Sequence, residues 1–139
     1  MTDSVVTLEV PADVAYVGVV RSLAANLAAR LPFTIDEIDD LRIAVDEAFA
    51  VLVPLAVAGS RVRAAFTVAD DAIDVTVDVT GSEAAKLDRG GFGWTVLEAL
   101  VQVSDIRDSG EHLGLTMRKA AEEATTAAGS TEVTGTGTP

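Results

Sequence analysis

The chain has 139 residues, 49% of them hydrophobic but only 4% aromatic, and its 22 acidic against 10 basic side chains give a net charge of -12. A single domain of this length buries about two-thirds of its unfolded surface, so Ala, Val and Leu must fill the core. The absence of cysteine excludes disulfides, thiolate metal sites and a thiol nucleophile.

Val6, Leu8 and Val10 alternate with polar positions and predict a strand with one buried face. Pro11 and Asp13 then open a helical stretch in which Val17, Val20, Leu23 (or Ala24), Leu27 and Leu31 recur at helical spacing, closed by Leu31-Pro32. Thr34 is placed to cap a second helix, with Glu37 at the capping-box position. The apolar face of that helix is Ile38, Leu41, Val45, Ala48, Leu52 and Leu55, and Asp36, Glu37, Asp39 and Asp40 crowd its first turns, where the helix dipole favours anions. Pro54 should end or kink it, because its ring excludes the bond to the carbonyl of Ala50.

After Gly59 the period changes to two. Val62, Ala64, Phe66 and Val68 form one strand, Asp70-Asp71 a turn, and Ile73, Val75, Val77 and Val79 the next strand of a hairpin. A loop follows from Gly81 to Gly91, then Trp94, Leu97, Leu100 and Val101 mark a third helix, and short strands near Val103–Arg107 and Leu113–Arg118 finish the domain. The order β-α-α-β-β-α-β-β predicts a two-layer α/β sandwich, its mixed, mostly antiparallel sheet carrying helices on one face. Residues 1–120 form this domain; 121–139, small and polar without apolar period, read as a disordered tail. No apolar run approaches the roughly 20 residues that span a bilayer, and Met1-Thr2-Asp3 lacks a basic n-region. A cytoplasmic protein without membrane contact is expected.

Five features can carry chemistry. Glu47, beside Asp46 on the second helix, is a general base if it borders a cleft, and otherwise part of a solvated acidic face. Gly90-Gly91-Phe92-Gly93 precedes a helix, as in sites where backbone approaches phosphate, or else gives a flexible loop. Arg21, alone on a largely apolar helix, is able to grip a partner carboxylate or is an ordinary surface arginine. His112, the sole histidine, is expected in a solvent-facing loop. Trp94 and Phe92 suit core packing, with room for one of them to be exposed beside the glycines. No metal site is expected. The acidic balance suits a basic protein partner, and the lack of Lys/Arg clusters excludes direct nucleic-acid binding.

Read together, these segments resemble the GHKL-type (Bergerat, histidine-kinase-like) ATPase fold of anti-sigma factors, of the actinobacterial RsbW/UsfX kind, with sporulation-type SpoIIAB as a more distant relative. The resemblance rests on Asp40-Leu-Arg-Ile-Ala-Val-Asp-Glu-Ala, which is similar to the family's stretch before the N-box. It rests also on Gly91-Phe-Gly-Trp-Thr-Val-Leu-Glu-Ala-Leu, similar to the G2 box, and on Gly114-Leu-Thr-Met-Arg, similar to the last GTT strand. It covers about residues 5–120. Family members sequester a sigma factor and phosphorylate a Ser on a STAS-domain anti-anti-sigma partner with Mg-ATP. The resemblance implies that Glu47 is the catalytic base, that Gly81, Gly91, Gly93 and Thr116 stand at nucleotide positions, and that Arg21 contacts both protein partners. It also implies a homodimer formed through the first helix and first strand.

The departures concern the enzyme. Val51 replaces the Asn that ligates magnesium, and a hard cation needs oxygen ligands. Leu55 stands where many members carry His. Val79 replaces the Asp that binds adenine, Glu83 replaces a glycine of the G1 box, and only Ser82 to Gly90 remains for a lid. The expected protein is therefore an anti-sigma factor for a stress-type (SigF/SigB-like) sigma factor, released by a STAS antagonist. Glu47, Gly81, Gly91, Gly93 and Thr116 would be relics, and no cofactor is expected. The rivals are an active Mg-ATP-dependent Ser/Thr kinase whose metal is held by Asp46, Asp78 or Glu83, and a GHKL-like adaptor with a non-sigma client.

Overall fold

A computed structural model describes residues 4–122. The expected tail lies outside the described residues except for Ala121 and Glu122, both of which are bonded to the domain. Ala121, buried, donates its N–H to the Asp71 carbonyl, and Glu122 donates to the carboxylate of Glu37.

The order of elements is the one the periodicities predict: β1 (Ser4–Pro11), α1 (Val17–Ala28), α2 (Ile35–Leu52), β2 (Arg61–Val68), β3 (Ala72–Thr80), α3 (Phe92–Leu100), β4 (Gln102–Ser109) and β5 (His112–Ala120). The strands form one sheet, β1-β2-β3-β5-β4, in which every neighbouring pair is antiparallel. The sheet expected to be mixed is thus wholly antiparallel in its pairings. β5 enters between β3 and β4, so the β3-α3-β4 crossover is a split unit rather than a parallel neighbour pair. Among the described residues no helix is long and apolar enough to cross a membrane.

Alternation decides the two faces. Val62, Ala64 and Phe66 of β2, Ile73, Val75, Val77 and Val79 of β3, and Leu113, Leu115 and Met117 of β5 point into one core, facing Val20, Ala24 and Leu27 of α1, Leu41, Val45, Ala48, Phe49 and Leu52 of α2, and Trp94 and Leu97 of α3. Ala24, Ala28, Ala44 and Ala48 are fully buried, and these small side chains let the helices close on the sheet without aromatic filler.

α2 begins as predicted. Thr34 accepts from the Glu37 N–H at 3.1 Å, and Glu37 returns a carboxylate oxygen to the Thr34 N–H at 2.8 Å. Its other oxygen accepts from the Glu122 N–H at 2.7 Å, so Glu37 ties the end of the sheet to the start of α2. Burial alone would raise the pKa of this carboxyl. The bonds from the Thr34 and Glu122 backbone and from the Thr34 side chain, together with the charge of Lys119, outweigh it and hold the pKa below its ordinary value.

Pro54 ends α2 as expected. The chain passes into a 3-10 turn, Val53–Leu55, so Leu55 is not helical. α1 is shorter than the periodicity suggests. Asp13 caps a separate 3-10 turn, Val14–Tyr16, and the helix closes at Ala28 through tight bonds from Arg30 to Leu27 and from Leu31 to Ala28. Pro32 denies Leu31 a helical backbone, and the last turn tightens accordingly.

Candidate functional site

The end of α2, the turn after it and the start of α3 enclose a cleft of about 370 Å³. α2 contributes Glu47, Ala50 and Val51, the turn contributes Pro54 and Leu55, and α3 with its preceding loop contributes Gly91, Phe92, Gly93, Trp94, Lys86 and Asp88. A Cβ on Gly93 would stand 3.0 Å from Glu47 Oε2 and 3.4 Å from Val51 Cγ2. The missing side chain is therefore what lets α3 start against α2. Val51 follows Glu47 one turn along α2, as i, i+4 spacing requires, and Leu55 joins the same wall from the 3-10 turn after the helix.

Asp46 and Glu47 are neighbours in sequence with separate surroundings. Asp46 Oδ1 accepts from Arg21 Nη1 at 2.7 Å, which ties α2 to α1, whereas Glu47 borders the cleft. Arg21 sits in a second surface depression with Asp39, Arg42, Ile43 and Asp46. Trp94 is in the core with the Arg89 guanidinium 5.6 Å above its ring, and Phe92 is 82% exposed at the cleft mouth. His112 is exposed but begins β5 rather than lying in a loop.

The structure brings Glu47, Gly91 and Gly93 together and leaves the other expected nucleotide positions elsewhere. Thr116 is on the sheet face opposite the helices. Its hydroxyl lies 3.0 Å from that of Thr76 and accepts from Arg107 at 3.3 Å, while its neighbours Leu115 and Met117 face the core. Gly81 lies at the end of β3. Its N–H donates to Glu111, and a Cβ there would come within 2.6 Å of the Gly110 carbonyl and of Leu113. That glycine is required by packing. Val79 is buried against the core, and Glu83 is exposed on the loop.

Asp46, Asp78 and Glu83 do not converge on a metal. Asp46 is held by Arg21 beside α1, Asp78 is held by Arg107 at 2.7 Å on the outer face of the sheet, and among the described residues no group of three or more His, Cys, Asp or Glu side chains is placed to hold one. The Asp78–Arg107 pair passes over Gly114, which stands opposite both residues in the sheet register. A Cβ on Gly114 would overlap Asp78 Oδ1.

The loop from Ser82 to Gly90 is pinned rather than free. Ala85 and Leu87 are buried in the core, and the Leu87 N–H donates to Asp108 Oδ1 at 3.3 Å. Sequence reasoning missed Asp88. Its carboxylate accepts from the Gly90 N–H at 3.2 Å and folds back over Gly91, the residue that caps α3. The helix terminus that would greet a phosphate thus already has an anion beside it. The signal was available, since Asp two residues before Gly is an Asx-turn pattern.

The sequence profile of the histidine kinase-like ATPase domain matches residues 10–119. The chain is 29% identical to the serine-protein kinase RsbW of Bacillus subtilis over 81% of both chains. It is 29% identical to the RsbW of Halalkalibacterium halodurans over 80% of this chain and 81% of that one, and 28% identical to that of Oceanobacillus iheyensis over 69% and 74%. The five-stranded sheet with its helices on one face, and this match across most of its length, show that the chain belongs to the histidine kinase-like ATPase domain family and is of the RsbW type.

Proposed function

We propose that the chain is an anti-sigma factor that acts by protein binding alone. It holds a stress-type sigma factor in the cytoplasm through the α1–α2 face around Arg21, and a STAS-domain antagonist releases it by competing for the same arginine. The relatives named above are serine-protein kinases. The observation that carries the departure from them is the wall of the cleft. Below Glu47 it offers Val51 and Leu55, which have no oxygen for a metal.

The residues present do not fit Mg-ATP. Two carboxylates, Glu47 on the α2 side and Asp88 beside the α3 N-terminus, line the cleft against one cation, Lys86, so the net charge is unfavourable to phosphate. Val79, at the position where the resemblance expects the adenine-binding Asp, is buried in the core and offers no acceptor. Phosphoryl transfer depends on positioning and charge stabilisation, and neither is supplied here.

Titration calorimetry with ATP, with and without Mg²⁺, tests this. No heat is expected up to millimolar nucleotide. Magnesium-dependent binding would overturn the proposal in favour of the active-kinase reading, whose support is the position of Glu47 beside Gly93 at the mouth of α3. The second copy expected from the resemblance would meet α1 and β1, where Val5, Tyr16 and Val19 are exposed.

A further inference from the structure

We infer that the cleft is a docking pocket for a basic–apolar segment of a partner protein, whose Lys or Arg pairs with Glu47 while an adjacent apolar side chain packs on Val51, Pro54, Leu55 and Phe92. This assignment does not depend on the Arg21 face.

Two observations point to it. Glu47 is half-buried and, among the described residues, has no hydrogen-bond or ion-pair partner. A carboxylate partly removed from water against apolar walls is stabilised by a cation. Beside it, Phe92 is 82% exposed, Pro54 is exposed, and Val51 and Leu55 are half-covered. Single exposed apolar residues are ordinary, but a contiguous group around a concavity marks a binding surface.

The occupant follows from charge. A second copy is poorly supplied with cations, because the chain carries 10 basic against 22 acidic side chains and would bring its own net charge of -12 to the site. Residues 123–139 contain no Lys or Arg and, in Val133, one bulky apolar side chain, so they do not satisfy the site either. Lys86 at the rim is offset by Asp88, which leaves the cleft with the excess negative charge of Glu47. The net charge of -12 steers basic partners toward it.

The test is an amide chemical-shift titration of the full chain with three blocked tripeptides: Leu-Arg-Leu, Leu-Gln-Leu and Gly-Arg-Gly. Leu-Arg-Leu is expected to shift Glu47, Val51, Phe92 and Trp94, and to bind about five-fold tighter than either of the others. Glu47→Gln should erase the preference for Arg, and Phe92→Ser the preference for Leu. Both side chains lie outside the core, and the variants' own spectra verify their fold. Equal affinity for the three peptides, no binding of Leu-Arg-Leu at millimolar concentration, or shifts confined to other surfaces would overturn the inference. So would Mg-ATP shifting the same amides. Failure with the peptides but indifference to ATP would sink this pocket and leave the Arg21 reading standing.

Discussion

Glu37→Gln removes the one charged side chain that is buried among the described residues. The carboxylate accepts two backbone N–H groups, from Thr34 at 2.8 Å and from Glu122 at 2.7 Å. Glutamine has one carbonyl oxygen, so one donor loses its acceptor and the other exchanges a charged bond for a neutral one. A hydrogen bond to a charged group contributes about 1.5–3 kcal/mol. Glu122 is exposed and water recovers its N–H, which keeps the cost near the lower end, about 1.5–2 kcal/mol. For a domain of this size that is a Tm lower by about 5–10 °C. The pH dependence separates this bond from a packing effect. Because the folded pKa lies below the ordinary 4.5, the native carboxylate contributes stability that is complete above the unfolded pKa. That contribution is lost as pH falls through the folded one. The gap in urea unfolding free energy between wild type and variant should be full at pH 7 and close progressively below about pH 4.5. A gap under about 0.5 kcal/mol at neutral pH, or one that stays constant into acid, would refute the assignment of Glu37 as a charged tie.

Gly114→Ala should destabilise the fold by about 2–3 kcal/mol in urea titration, because its methyl would overlap Asp78 Oδ1 and come 2.7 Å from the Val77 carbonyl; an unchanged midpoint would mean that the Asp78–Arg107 pair does not cross there. Exchanging the partners of the α1–α2 tie, Arg21→Asp with Asp46→Arg, should recover within about 0.5 kcal/mol the stability lost in Arg21→Asp alone, since an ion pair this exposed contributes about 1 kcal/mol or less. The same double variant should still fail to retain a sigma factor or STAS partner in co-purification, and retention would show that Arg21 serves only the helix pair.

Most of the scaffold was legible because its signals are local. The Thr34–Glu37 box spans four residues, Pro54 acts on its own turn, and the β2–β3 hairpin announces itself by strict alternation. The site was less legible because its members meet across long separations. Nothing in sequence pairs Arg21 with Asp46 or sets Arg107 above Gly114. Thr116 is a different case, because the alternation of Leu113, Leu115 and Met117 around it places it on the other face of β5, which is the strand reading that stood beside the motif resemblance.

The fate of the motif residues depends on what packing asks of them. At Gly81 and Gly114 an added Cβ meets backbone carbonyls within 2.7 Å, and at Gly93 it meets Glu47 at 3.0 Å. A backbone atom does not step aside as the flexible Glu47 side chain can, so packing alone requires Gly81 and Gly114 and holds Gly93 less firmly. Retention of Gly81 is therefore uninformative about ATP. Val51 and Val79 are in the opposite position. Nothing in the packing requires a polar atom there, and at Val79, 4% exposed, an isopropyl group is better accommodated than an unpartnered carboxylate would be. Burying such a side chain is worth about 1.5 kcal/mol or more, a contribution to stability that a polar residue at Val79 would forgo.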